Sequence, residues 1–456
     1  MSEETQVPER PATFREVFTE GEFRSVYLAV VLTWAGDYIA KAAITMLVFQ
    51  QTNSVALSAA AFATSYFPWL LGGPLLTTLA DRYPYRTVMV VCDLARMPLF
   101  LVLALVDLPV GVLLGLLFVS TLAAAPSQAS RSAMVPLILR GDRLVVGLSL
   151  FSSSSQASQI GGYVAGSSIA LYSPRLALLI NAVMFGLSAL IIWTGVRHRP
   201  PAPRETPNHL LRDTAAGFRL VFGTPTLRAI AILIFSSMLF AIVPEGLAAA
   251  WASDLAEKQG DHPELIQALI MASVPTGSVM GALLVGRVIR PARRQALIRP
   301  FAVLAPLALV PALLSPSPVI VALLAAVAGF AVTGLIPVTN ALFVQALPDG
   351  YRARAFGVMN TGMQAIQGTA VLITGVLAER FPLHRVVGLW SVAGVLLMLL
   401  LAARWPQPDR FTAAIARARE ARPTGTETSA TPTGKHPLTG PPGPRPPSSE
   451  AGIGAV

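Results

Sequence analysis

Two opposite charges, Asp37 and Lys41, stand in the middle of the first long apolar run. Ionisable side chains where hydrocarbon is expected mark ion or substrate pathways. With a helix entering near Ser25, Asp37 lies twelve residues in. At 1.5 Å per residue that is about 18 Å, close to the midplane of a hydrocarbon layer about 30 Å thick. At i and i+4 the pair can meet on one helical face. Two readings are open: a local ion pair that makes both charges tolerable, or a charged fixture for substrate or gating. A neighbouring cation favours the charged form of Asp37, which makes it a poor proton carrier. Glu245 has no basic residue within a turn and sits between Pro244 and Gly246, which loosen a helix locally. It is the better placed acid for loading and releasing a proton; its other reading is a structural contact on the extracellular side. Gln156 with Gln159, and Gln364 with Gln367, are i and i+3 pairs. Amides avoid lipid, so both pairs are expected to face the interior, lining a substrate path or bonding between helices.

The elements that must position these groups follow from composition. The chain has 456 residues, 54% of them hydrophobic and 13% charged, with a mean hydropathy of +0.61. That describes a polytopic membrane protein. Six apolar runs near 26–49, 57–79, 87–106, 110–134, 147–172 and 175–196 precede a basic, proline-containing break at 197–225. Six more follow near 227–251, 264–287, 298–314, 318–343, 353–378 and 385–404. The expectation is an all-α membrane protein of twelve transmembrane helices, arranged as bundles 25–196 and 226–404. A cytoplasmic N-terminal segment 1–24 would lie on the membrane surface through Phe14, Val17, Phe18 and Phe23. The linker carries a short amphipathic helix near 208–222, and the tail 405–456 holds a short basic helix before a disordered stretch from about 421.

A formal charge of +10 does not imply nucleic acid here, because the arginines occupy short loops rather than one patch. Arg82, Arg86, Arg96, Arg131, Arg140, Arg143, the linker, Arg287 to Arg299, Arg352 and Arg354 share one side; Arg175, Lys258, Arg380 and Arg385 share the other. The positive-inside rule then places both termini in the cytoplasm. No basic n-region with an apolar core and cleavage site opens the chain, so a cleaved signal peptide is not expected. One cysteine, Cys92, and five scattered histidines offer no disulfide and no clustered metal site. Three lysines among 34 basic residues suggest a bacterial, GC-rich gene.

An internal repeat sharpens the picture. Asp37 and Glu245, Gln156 and Gln364, Gln159 and Gln367, and Arg82 and Arg290 each stand 208 residues apart. A shared offset implies two parallel six-helix repeats, with the substrate site at their interface near the midplane. Lys41 has no counterpart, since Ala249 occupies its repeat position.

The stretch Leu79 to Arg86 resembles the signature loop of the major facilitator superfamily, with Asp81, Arg82 and Arg86 aligned and Thr77, Pro84 and Tyr85 departing from the pattern. The resemblance implies the major facilitator fold and a charged cytoplasmic latch of Asp81, Arg82 and Arg86, which Asp93, Arg96 and Arg131 are expected to join; the alternative is that these arginines only set topology. Phe23-Arg24 ahead of Gly36-Asp37, Pro126 to Arg131 with Pro136, Gly217 to Arg219, Thr224 to Arg228 and Pro244-Glu-Gly246 resemble the drug:proton antiporter branch that includes macrolide-efflux-like and enterobactin-exporter-like proteins. Gly161 to Gly166 resembles the fifth-helix antiporter motif, with Gly162 in place of its proline; close helix contact through small residues explains it equally.

No phosphate-binding loop for ATP is present in the sequence. Neither is a nucleophile with base and orienter, so no enzyme and no cofactor is expected. The expected function is a proton-coupled secondary transporter, by resemblance an exporter of amphipathic small molecules such as drugs, antibiotics or siderophores. It would act as a monomer in the bacterial cytoplasmic membrane, with substrate, protons and the lipid bilayer as partners. Import of a nutrient on the same fold and a transport-inactive sensor or scaffold are the alternatives.

Overall fold

The computed structural model describes residues 13–70, 72, 82–199, 210–288, 295–348, 351–406 and 411. Among the described residues, ten helices are long and apolar enough to cross a membrane. A shorter apolar helix covers Val55–Leu70. The helix Asp142–Ala170 has 29 residues but is rich in serine and glutamine through its middle. Asp81, Arg290, Asp349 and the tail helix expected around Arg410 to Arg419 lie outside the described residues.

The first half runs α1 (Phe14–Thr19), α2 (Gly21–Thr52), α3 (Val55–Ala63), α4 (Tyr85–Leu105), α5 (Val110–Ile138), α6 (Asp142–Ala170) and α7 (Pro174–Gly195). Local chemistry sets the boundaries. Thr13 accepts the Glu16 N–H to start α1, and Asn53, in the left-handed region at φ 49, ends α2. Ser54 then caps α3 by accepting the Leu57 N–H. Val17 is buried under α1, while Phe18, Phe23, Tyr27 and Phe151 form an aromatic cluster.

A linker helix, α8 (Leu210–Gly223), leads into the second half, close to where the sequence places one. There α9 (Pro225–Ala241), α10 (Val243–Gly246) and α11 (Ala248–Gln259) share one broken path. They are followed by α12 (Pro263–Val288), α13 (Ile298–Leu307) with the 3₁₀ turn Val310–Leu314, α14 (Pro318–Ala346), α15 (Arg352–Arg380) and α16 (Leu383–Ala403). Proline stands in the first turn of α7, α9 and α14, where its missing N–H and fixed φ suit a helix start.

Close packing holds the helices at the depths that matter. A Cβ on Gly162 would lie 2.5 Å from the Tyr38 Cβ, and one on Gly166 would lie 2.4 Å from the Ile39 carbonyl oxygen. The glycines of α6 thus let its backbone approach α2. One buried cluster spans both halves, joining Ala42, Phe62 and Tyr163 to Trp251, Met271 and Val371. Polar contacts reinforce it: Gln267 Nε2 donates to the Ala42 carbonyl and to Thr45 Oγ1, each at 3.0 Å.

Candidate functional site

Between the halves lies a cavity of about 520 Å³, within the usual size range for binding small organic molecules. Its wall includes Asp37 and Lys41 from α2, Asp93 and Arg96 from α4, Arg131 from α5, Gln159 and Tyr163 from α6, Glu245 from α10, and Gln364 and Gln367 from α15. The repeat-related acids Asp37 and Glu245 therefore face one space.

Asp37 pairs with Arg96 rather than with Lys41: the Arg96 guanidinium donates to Asp37 Oδ1 at 2.6 Å. The Arg96 side chain is 5% exposed and that of Asp37 34%, so the carboxylate presents its free face to the cavity. Arg96 also donates to Ser120 Oγ at 3.3 Å, and its guanidinium carbon lies 4.1 Å from the centre of the Phe185 ring. On the same helix Asp93 is buried and accepts from Ser188 Oγ at 2.6 Å.

Lys41 is free to turn elsewhere. Its ammonium sits 4.8 Å from the ring centres of Phe62 and Tyr66 and 5.7 Å from that of Tyr38, an aromatic cage in which ring faces offset a desolvated charge. It also lies within electrostatic range of Glu245. The sequence offers no cation within a turn of Glu245; the fold supplies one from the other half.

Glu245 is 4% exposed and sits where the helix path breaks. Pro244 cannot donate to the helical ladder, and a Cβ on Gly246 would lie 2.5 Å from Val371 of α15. Tyr163 Oη donates to Glu245 Oε2 at 2.8 Å and Gln159 Nε2 donates to the same oxygen at 3.4 Å. Both donors belong to the other half. Charged hydrogen bonds of this kind are about twice as strong as neutral ones, so the protonation state of Glu245 sets the strength of a contact between the halves.

Two further expectations change. Asp93, Arg96 and Arg131 line the central cavity and do not sit in the loop with Arg82. Arg96 is eleven residues beyond the start of α4, about 16 Å along the axis, too deep for a loop latch. Of the signature-loop residues, Arg82 is exposed and Arg86 donates to the Trp193 carbonyl. Gln156 does not line the cavity, although Gln159 does: three residues of α-helix leave about 60° between side chains, enough to take one of them off the wall. In the second pair both glutamines line it, Gln367 Nε2 donating to Gln364 Oε1 at 3.5 Å and to the Met363 carbonyl at 3.2 Å.

Residue spacing did not single out the aromatic lining. Tyr38, Phe62, Tyr66 and Trp34 surround the cavity cations. A usable signal lay in the glycine motif of α6, which carries Tyr163 in its middle, and in Arg96, whose depth in a spanning run matches that of Asp37.

The family model of the Major Facilitator Superfamily matches residues 26–365 and 246–442. The chain belongs to this superfamily. Solved structures agree on the fold. A mutant of the nucleoside transporter NupG superposes with a TM-score of 0.67 at 14% identity, covering 86% of this chain and 99% of that one. A mutant of the peptide transporter POT in complex with alafosfalin gives 0.66 at 16% identity, covering 90% and 97%. A bacterial homologue of the human lysosomal transporter Spinster, in an inward-facing conformation, gives 0.63 at 15% identity, covering 89% and 99%. Comparison with curated proteins returns no match. As a superfamily member with this fold, the chain is a multi-pass membrane protein and a transporter of small molecules rather than an enzyme.

Proposed function

We propose that this transporter couples solute movement to protons through Glu245 and, in line with its resemblance to the drug:proton antiporter branch, exports amphipathic small molecules by alternating access. The observation that carries the coupling is the bonding of Glu245 across the halves to Tyr163 and Gln159. Loading a proton weakens that contact and frees the halves to rock; releasing it restores the contact. Asp37, held by Arg96, is a fixed charge that orients substrate, and the four lining residues Gln159, Gln364, Gln367 and Lys41 offer it polar partners. In this reading Val55–Leu70 and Asp142–Ala170 complete twelve crossings, both termini are cytoplasmic, the protein works as a monomer in the bacterial cytoplasmic membrane, and Asp81, Arg82 and Arg86 form the cytoplasmic latch.

Reconstitution in proteoliposomes tests the coupling. Glu245→Gln is expected to abolish the response of transport to an imposed pH gradient while solute exchange without a gradient persists. Unchanged gradient-driven transport in this variant removes Glu245 from the mechanism. The structural neighbours include a nucleoside transporter and a peptide transporter, which favours a second reading, a nutrient carrier on the same fold. Accumulation in cells decides between them: an exporter lowers cellular substrate, and collapse of the proton gradient raises it, whereas a proton-driven importer gives the opposite pattern.

A further inference from the structure

The charged groups of the cavity are unequally satisfied. Arg96 has Asp37, Asp93 has Ser188, and Glu245 has Tyr163 and Gln159 with Lys41 in electrostatic range. Arg131 differs: its guanidinium carbon lies 4.6 Å from the centre of the Trp34 ring and 5.7 Å from that of Phe151, and it makes no hydrogen bond or ion pair with any described residue. Ring faces take up part of a cation's charge but leave the five N–H donors of the guanidinium unbonded. Arg131 is half-buried in the cavity wall, and its planar fork matches a carboxylate, sulfonate or phosphate in two parallel bonds.

We propose that Arg131, flanked by Trp34 and Phe151, is the binding station for the anionic group of the transported solute, so that the substrates are amphipathic organic anions. The Trp34 ring, which lines the cavity, supplies an apolar wall on which an aromatic or aliphatic body packs beside the anion, with Phe151 buried behind Arg131. Trp34 and Lys41 are seven residues apart on α2, about 10 Å along the helix. A solute anchored at Arg131 therefore extends past Asp37 toward the Lys41 cage and Gln364. This rests on the transporter reading for its biological sense but not for its test, which is equilibrium binding without any gradient.

The probes are 1-naphthoate and its neutral isostere 1-naphthamide, titrated into the purified full-length protein in phosphatidylcholine nanodiscs, with quenching of tryptophan fluorescence as readout. The wild type is expected to bind naphthoate about tenfold or more tighter than naphthamide, the ratio that a charge-assisted hydrogen bond supports. Arg131→Gln is expected to bring that ratio close to one with naphthamide affinity retained, which also shows that the variant is folded. Arg131→Lys is expected to keep an intermediate preference. Equal affinities in the wild type, no saturable naphthoate binding, or an unchanged ratio in Arg131→Gln each overturn the proposal. Nanodiscs with phosphatidylglycerol separate a solute from a lipid headgroup: a solute site keeps its naphthoate curve, and displacement by the anionic lipid overturns the solute assignment. Selective naphthoate binding alongside gradient-insensitive transport would instead fault the coupling through Glu245 alone.

Discussion

Glu379 ties the two halves together at the C-terminal end of α15, where it caps a helix of the other half. Its Oε2 accepts the Ala56 N–H at 2.9 Å and the Ser54 hydroxyl at 3.2 Å, in the first turn of α3. That turn has orphan donors and a positive dipole end, both of which a carboxylate satisfies. The Leu57 N–H is held separately, by Ser54 Oγ at 3.1 Å within the same half. Replacing Glu379 by Ala removes the cap from Ala56, a loss of about 1 kcal/mol, which corresponds to roughly a fivefold change in the opening equilibrium. Glu379→Gln keeps a neutral acceptor and forfeits only the charge, so about a twofold change is expected. Amide hydrogen exchange on the intact protein reads this directly. The Ala56 amide is expected to exchange about fivefold faster in the Ala variant, while Leu57, under its own cap, stays within about twofold of the wild type. Because the cap bridges the halves, Glu379→Ala is also expected to raise the share of molecules open at this end. Identical Ala56 exchange in Glu379→Ala and wild type would refute the claim that this carboxylate holds the halves together.

Gly166→Val drives a side chain into the Ile39 backbone, with a Cβ contact of 2.4 Å; a loss of about 1–3 kcal/mol is expected in thermal unfolding, against little change for Gly161→Ala, whose Cβ has nothing within 4 Å. Arg96→Ala leaves Asp37 without its cation. Because Asp37 is 34% exposed, the cost is expected to be about 2 kcal/mol, below that of breaking a fully buried pair, and Asp37→Asn added to Arg96→Gln should recover part of it in a double-mutant cycle. Gln159→Ala is expected to reduce transport and Gln156→Ala to leave it near the wild-type rate, since only Gln159 lines the cavity; equal effects in an uptake assay would contradict that division. Cys92 is buried, and maleimide is expected to label it only after denaturation, as mass spectrometry would show.

How much was legible can be argued from particular residues. Runs of apolar residues located the helices because a bilayer imposes a length on each crossing, and Gly21–Thr52 and Pro318–Ala346 contain the runs read from sequence. Lone charges at mid-run identified Asp37, Lys41 and Glu245 as cavity residues because lipid rejects them. Their partners were not legible. Spacing along α2 made Lys41 the obvious partner of Asp37, yet Arg96, 59 positions away in sequence, lies closer in space. Asp93, Arg96 and Arg131 read as a loop network for the same reason: sequence counts arginines per side but does not give the depth and azimuth at which each side chain points.

The sequence by itself determined that the chain crosses a membrane many times, where its helices run, and that a repeat with an offset of 208 residues brings Asp37 and Glu245 into equivalent places. These follow from hydropathy and periodicity, which are properties of single segments. Only the tertiary structure decided which charges meet. Ion pairs, aromatic cages and caps that bridge the halves depend on helix rotation and on the close approach that Gly162 and Gly166 permit, and that geometry left Arg131 against two rings with its donors open.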